Sequence, residues 1–315
     1  MADCNIEPPL ACNLQQRLAR RRVIEADLRN GNRKLARGES LLLREGVAAP
    51  VLRTALRMVG LYSRGLRNAL APMVRHLRFQ FPSLPGNFDG FRILHLSDLH
   101  IDGMHGLAEI VAERLTGLHA DLCVMTGDYR FKARGPCHKV YPRMRTLLSA
   151  IQARHGVVAI LGNHDESEIA VELEKLGVRM LINDGVAITR GSDCLGVAGV
   201  DDPHRYGGDD LDGALASVPA NAFKVLLAHS PELWHQASAA GIHLYLCGHT
   251  HAGQMRLPGI GALLLNAECP KSYTHGQWQN GAMLGYTSAG VGCSLLPVRY
   301  NCPPEVALIE LRKAR

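Results

Sequence analysis

Five times along this chain a short apolar run ends in Asp, Asn or His, and that repeated arrangement limits what the chain can fold into. Residues 93–96 lead into Ser97-Asp98-Leu99-His100, residues 123–126 into Gly127-Asp128, and residues 159–161 into Gly162-Asn163-His164-Asp165. Residues 226–228 lead into His229, and residues 245–247 into Gly248-His249-Thr250-His251. Short, wholly apolar runs are the signature of strands buried on both faces. In open α/β sheets the ligand crevice lies outside the carboxyl ends of the strands. Asp, Asn and His gathered there form an oxygen and nitrogen donor set suited to Mn, Fe or Zn rather than copper(I). One such strand end alone says little, because a lone Asp or His there usually caps a turn. In Gly248-His249-Thr250-His251, two imidazoles one residue apart on extended backbone point the same way.

The rest of the pattern agrees with a mixed fold. Residues 91–97, 121–126, 157–161, 194–200, 224–228 and 244–247 read as strands; 108–118, 143–153, 167–176 and 232–239 read as the helices between them. Such alternation indicates an α/β domain. Short strands with fewer helices are expected after residue 252, at 253–257, 262–265, 282–289 and 306–311. With 47% apolar residues among 315, the chain can bury a sizeable core, which excludes a disordered class. No run approaches the roughly 18 apolar residues of a spanning helix, and no apolar stretch follows Arg20-Arg21-Arg22 to make an export signal. The nine cysteines include no Cys-x-x-Cys pair, which suits a reduced compartment and the expectation of a cytoplasmic protein.

Charge is unevenly placed. Residues 1–90 carry 15 Lys or Arg against 7 Asp or Glu, a net of +8, while the remainder has a net of −2. Spacing of about 100° per residue lines Leu52, Leu56, Val59, Leu66, Leu70, Met73 and Leu77 along one helical stripe. Arg53, Arg57, Arg64, Arg67, Arg75 and Arg78 form a second stripe beside it, with a kink expected near Pro72. This predicts a basic helical N-terminal extension over residues 1–85, a linker at 82–87, and an α/β domain over 86–315 that carries the polar strand ends. Two readings of residues 50–80 stand side by side: a helix packed on the domain with solvated arginines, and an amphipathic anchor on an anionic membrane surface. Stacking aromatics are scarce in this segment, so no nucleic acid is expected as a partner.

Asp98-x-His100, Gly127-Asp128, Gly162-Asn163-His164-Asp165, His229 and Gly248-His249-x-His251 together resemble the calcineurin-like metallophosphoesterase superfamily. The resemblance covers residues 91–311. The segments Gly199-Val200-Asp201-Asp202-Pro203, Gly290-Val291-Gly292 and Cys302-Pro303-Pro304-Glu305 resemble its bacterial membrane-associated branch of UDP-diacylglucosamine pyrophosphatase-type enzymes and general phosphodiesterases. What the resemblance implies is a two-sheet αββα sandwich with two divalent metal ions. Asp98, His100, Asp128 and His251 would hold one ion; Asp128 would bridge to the other, completed by Asn163, His229 and His249. His164 would be the catalytic residue facing the substrate. Two ions about 3.5–4 Å apart can clamp an in-line phosphoryl displacement and supply a bridging hydroxide at neutral pH. Asp165 is expected either to orient His164 or to cap the helix at 167–176, and Arg130 is a candidate phosphate contact.

The resulting expectation is a dinuclear phosphodiesterase or pyrophosphatase acting on a lipid-linked or nucleotide-type ester, on the inner face of the membrane. Manganese is the first choice of metal, with iron, zinc or cobalt as alternatives. A phosphomonoesterase of broad specificity, or a non-catalytic scaffold on the same fold, is the competing reading.

Overall fold

In strand β2 (Arg92–Leu96) all four residues after Arg92 are buried, Ile93 and His95 toward one side and Leu94 and Leu96 toward the other. A strand covered on both faces must lie between two layers. The computed structural model, which describes residues 11–36, 48–262 and 265–314, shows those layers. One six-stranded sheet joins β1 (Met73–Phe81), β2, β4 (Leu122–Met125), β6 (Val157–Ala159), β7 (Arg179–Met180) and β16 (Glu305–Lys313). Its order is β1-β16-β2-β4-β6-β7, parallel throughout except where β16 meets β2.

The second sheet joins β8 (Asp184–Arg190), β9 (Asp193–Gly199), β10 (Phe223–Leu227), β11 (Leu244–Cys247), β14 (Gly276–Asn280) and β15 (Met283–Thr287). Its order is β14-β15-β11-β10-β9-β8, with a parallel centre and an antiparallel strand at each edge. Two short pairs, β3 (His119–Ala120) with β5 (Gln152–Ala153) and β12 (Arg256–Leu257) with β13 (Gly261–Ala262), complete the strands.

The inner faces of the two sheets meet through Phe81, Ile93, Val124, Val158, Val197, Val225 and Leu246, all buried in one cluster. Each such apolar side chain contributes about 1.5–3 kcal/mol on full burial. Helices α4 (Leu107–Leu115), α5 (Val140–Ser149) and α6 (Ser167–Lys175) cover the outer face of the first sheet, with Val111, Met144 and Leu173 packed on Leu94 and Leu96. Helices α7 (Leu211–Ala216) and α8 (Trp234–Ala239) cover the outer face of the second through Ala214 and Ala237. The αββα sandwich read from the motifs is therefore the fold.

The N-terminal extension is helical over α1 (Ala11–Arg29), α2 (Ala48–Met58) and α3 (Tyr62–Ala69). It is not helical beyond Pro72: the stripe residues Met73, Arg75, Leu77 and Arg78 belong to β1. β1 pairs in parallel with β16, Phe79 opposite Leu311. Phe79 and Phe81, two residues apart, turn into the inter-sheet core, the period of a strand. Arg75 and Arg78 pair with Glu305 (3.4 Å) and Glu310 (3.0 Å) of β16, so they sit on a charged sheet edge and not on a lipid-facing helix. The stretch expected to be a linker is the β1–β2 connection, with a single helical turn at Gly86–Phe88.

Candidate metal centre

Every residue singled out at a strand end lies at one edge of the sandwich. Asp98 and His100 follow β2, Asp128 follows β4, Asn163 and His164 follow β6, His229 follows β10, and His249 and His251 follow β11. Both sheets contribute, so the site bridges the two layers. Asp98, His100, Asp128, His249 and His251 all have positive φ, between 38° and 70°. Non-glycine residues rarely adopt that left-handed conformation, and it persists where surrounding structure over-determines it. Glycines let the loops close this tightly. A Cβ on Gly248 would run into Ser97 Oγ and Asp98 Oδ2; one on Gly127 (φ +91°) would run into the backbone of Gly162.

The donor atoms converge on two neighbouring spots. His251 Nε2 lies 3.4 Å from Asp98 Oδ1 and 3.2 Å from His100 Nε2, which is 3.6 Å from Asp128 Oδ2. On the other side His229 Nε2 lies 3.5 Å from Asp128 Oδ1, while Asn163 Oδ1 is 2.8 Å from both His229 Nε2 and His249 Nδ1. Asp128 therefore faces both groups. The sets Asp98–His100–His251, His100–Asp128–His164 and Asp98–Asp128–His229 each bring their ligand atoms within 4.8 Å of one another.

Hydrogen bonding decides which ring nitrogens face inward. His100 Nδ1 meets the Arg130 carbonyl, His229 Nδ1 the Thr126 carbonyl and His164 Nδ1 the Phe131 carbonyl, each at 2.7 Å. His249 Nε2 meets the Asn266 carbonyl at 2.6 Å. A carbonyl only accepts, so each of these nitrogens carries a hydrogen and turns its ring partner toward the site. Burial keeps His249 neutral, so its inward Nδ1 lone pair crowds the Asn163 oxygen with no proton to share. A cation relieves that crowding, and the donor set fits divalent metals.

The electrostatics agree. Burial pushes Asp98 up to about 6, with neighbouring Asp128 adding to it. Burial alone would raise Asp128 too, but His229 and His164 hold it well below the usual carboxylate range. Burial pushes His100 down to about 3 and keeps His249 and His251 well below their ordinary value. His229 is the exception: burial works against its charge, but Asp128 beside it holds it well above its ordinary value, so Asp128 and His229 form an ion pair next to the neutral, lone-pair-bearing rings of His100, His249 and His251.

Two expectations are corrected. Asp165 does not orient His164, whose Nδ1 is taken by Phe131, nor does its side chain cap α6. Its carboxylate accepts three backbone N–H groups instead, from Gly162 (2.8 Å), Asp128 (2.7 Å) and Tyr129 (3.0 Å). Arg130 is buried, and its guanidinium donates to Glu166 (3.3 Å) and the Gly135 carbonyl rather than facing the cleft. His204, in the loop after β9, is buried with its ring centroid 4.1 Å from that of His249.

His204 belongs to a chain that local sequence gives no means of finding. Its Nδ1 meets Glu232 at 3.0 Å, its Nε2 accepts from the Asn266 amide at 3.0 Å, and the Asn266 carbonyl holds His249. The only local signal is the Asp201-Asp202-Pro203 turn. Asp202 stabilises that turn by accepting the N–H groups of His204, Arg205 and Tyr206.

Comparison with known proteins bears on the same region. The family model for calcineurin-like phosphoesterases matches residues 91–253. The phosphodiesterase YaeI of Escherichia coli (strain K12) is 30% identical over 247 residues, covering 75% of this chain and 87% of its own. The metallophosphoesterase YkuE of Bacillus subtilis (strain 168) is 29% identical over 238 residues, covering 73% of this chain and 82% of its own. A transmembrane protein with metallophosphoesterase domain from Danio rerio is 28% identical over 292 residues, covering 86% of this chain and 63% of its own. The family implies divalent metal ions, and the five strand ends supply donors for them: the chain belongs to the calcineurin-like phosphoesterases and is a phosphoester hydrolase.

Proposed function

We propose that this chain hydrolyses a phosphodiester or pyrophosphate bond in an amphiphilic, lipid-linked or nucleotide-type ester, using two divalent ions with manganese as the first choice. Asp98, His100, Asp128 and His251 would hold one ion; Asp128, Asn163, His229 and His249 would hold the other. Bound there, the ions polarise phosphoryl oxygens and provide a nucleophile at neutral pH. The remaining work falls to the chain. His164 has its Nδ1–H fixed on the Phe131 carbonyl, so its Nε2 is the atom that carries a proton to the leaving oxygen. Asp165 fixes the backbone from which Asp128 projects.

The observation that carries the substrate class is one cleft of about 1740 Å3. It is lined by Asp128, Asn163, His164, His249 and His251, and also by Leu52, Leu56, Leu61, Met255 and Leu295. Arg53, Arg64, Lys132, Arg134 and Arg256 line it as well, and Asp128 is the only acidic residue among the described lining. An apolar wall with several cations beside the phosphate position suits an ester that joins an apolar body to more than one negative charge. The name phosphodiesterase carried by YaeI supports the diester side of this reading. No helix among the described residues is long and apolar enough to cross a membrane. In this proposal the protein meets a lipid-linked substrate from the inner face, through its surface.

A turnover screen of the purified, manganese-loaded protein tests the proposal. It should cover aryl phosphate monoesters and diesters, cyclic nucleotides, nucleoside diphosphate sugars and phospholipids. The expected result is the highest kcat/KM on a diester or pyrophosphate bearing an apolar group. Equal or better turnover of simple monoesters would establish a broad phosphomonoesterase instead. Two bound ions with no turnover of any ester would establish a binding scaffold.

A further inference from the structure

Helix α1 lies well before the region shared with the family, residues 91–253, yet its buried face reaches the back of the metal-ligand turn. Leu14, Leu18, Arg21 and Glu25 are spaced by four, three and four residues, which puts them on one helical face. Leu14 and Leu18 join the core on the outer side of the first sheet. Arg21 and Glu25 continue the same face and are also buried, at 0% and 5% exposure. Two charges on a buried face are costly to desolvate unless each is fully partnered.

Among the described residues, the partners of this pair outside α1 lie in the loops behind the site and at Ser167, the first residue of α6. Arg21 donates from Nη1 to the Asp201 carboxylate, and from Nη2 to the Asp165 carbonyl and, at 3.4 Å, to the Gly162 carbonyl. Its Nε donates to Glu25 at 3.1 Å, and its guanidinium lies over the Tyr206 ring, 3.3 Å from the centroid. Glu25 accepts the backbone N–H of Ser167 at 2.7 Å and the Ser167 hydroxyl at 2.9 Å. Helix α6 has no side-chain cap at its N-terminus from Glu166, so Glu25 supplies one from another helix. Beyond α1, Ala36 N–H donates to the Arg205 carbonyl at 2.9 Å, a second tie to the same loop.

Residues 162–167 are thus gripped from both ends, their carbonyls by a planar fork and their terminal N–H by a carboxylate. Between those ends sit Asn163 and His164. The Asp201 arm of the fork reaches the loop that carries His204, and His204 packs on His249. Arg21 therefore stands behind Asn163 and His249, whereas Asp98, His100 and His251 are held by other segments.

We propose that Arg21 and Glu25 are positioning residues for the metal site formed by Asn163, His229 and His249, so that α1 is a working part of the catalytic unit. This rests on the two-ion reading above. Partners behind metal ligands typically tune affinity by about 10–100-fold when they are lost. Here the loss falls on one of the two ions. Lys in place of Arg21 retains the charge but cannot reach two carbonyls and a carboxylate with one fork, so it restores only part of the effect.

The experiment is manganese titration by calorimetry on the full chain and on Arg21→Met, Arg21→Lys and Glu25→Gln, with thermal unfolding of each metal-free protein in parallel. In the variants one ion binds as in the unchanged protein and the other about 10–100-fold more weakly, in the order Met above Lys, and kcat recovers at high manganese. Unchanged binding of both ions in Arg21→Met and Glu25→Gln overturns the proposal. So does equal weakening of both ions with a matching fall in Tm, which is the mark of general loosening. If Arg21→Met does not fold, Glu25→Gln decides alone. Failure of the two-ion reading itself shows in the unchanged protein, as binding of fewer than two ions.

Discussion

The Asp165 carboxylate accepts the backbone N–H of Asp128 at 2.7 Å, so an acid that faces no ring nitrogen holds the residue that faces both donor groups. Asp128 has φ 59°, a conformation that needs such a hold. Two substitutions separate the roles. Asp128→Asn removes the shared anion, and the expected outcome is loss of both ions and of most activity, read by metal analysis after gel filtration. Asp165→Asn keeps that anion but sets an amide against backbone donors, so it should cost about 1–3 kcal/mol in denaturant unfolding. An Asp128→Asn protein that retained two ions and full turnover would sink the shared-ligand assignment.

His164 is expected to act on the substrate. Its Nε2 lies 4.0 Å from Asp128 Oδ2, farther than the 3.6 Å of His100 and the 3.5 Å of His229, and it lines the cleft. His164→Ala should leave two ions bound while kcat falls about 10²–10⁴-fold, the range for a proton-transfer group. Nitrophenyl esters, whose leaving group needs no proton, should lose less. A drop to one ion in the variant would place His164 among the ligands instead.

What was legible in the sequence, and what was not, divides along physical lines. The ligand-bearing strand ends were legible because burial forces an apolar run and the metal forces a polar stop, both within a few residues. β1 was not, because Arg75, Leu77 and Arg78 satisfy a helical period. Only pairing with β16, more than 220 residues away, decides for a strand. Asp165 looked like a partner for His164 by adjacency, yet turn geometry aims its carboxylate at three backbone N–H groups. Arg130 sits beside Asp128 in sequence and turns away to Glu166. His204, Glu232 and Asn266 come from three separate loops, and nothing in any one segment announces that they meet.

His95 gives a pH prediction that does not involve the ligands. It is wholly buried between the sheets, bonded to Thr126 Oγ1 at 2.9 Å, and burial pushes it down to about 3 from its ordinary 6.5. Between those values the unfolded chain binds a proton that the folded protein refuses. Stability therefore rises with pH across that window and is lost as pH falls through it, at up to about 1.4 kcal/mol per unit for one such group. His95→Gln keeps a polar partner for Thr126 and removes the titration. Urea unfolding at pH 4.5 and 7 should show a smaller difference for the variant. An identical difference would mean that His95 does not drive the acid limb.

Membrane contact is the remaining prediction, and the structure changes how it must be tested. Val51, Met58 and Val59 of α2 and its C-terminal turn are 62%, 78% and 66% exposed, and Ile260 of the β12–β13 hairpin is 73% exposed. Their sequence neighbours Leu52, Arg53 and Leu56 of α2, and Leu257 and Pro258 of the hairpin, line the cleft. Arg53, Arg64 and Arg256 line the same cleft, and each cation near an anionic leaflet is worth about 1 kcal/mol. Partial insertion of the exposed side chains adds to this and gives reversible binding without a spanning helix. Deleting residues 1–85 is a poor test, because it removes an edge strand and the α1 contacts along with α2. Point changes leave these intact. Vesicles containing phosphatidylglycerol should bring down the full chain at low salt and release it as salt rises. Met58→Asp with Val59→Asp, or Ile260→Asp, should lose that binding yet keep turnover of a soluble diester. If the unchanged protein ignores anionic vesicles at low salt, the surface reading fails and the cleft takes a soluble ester.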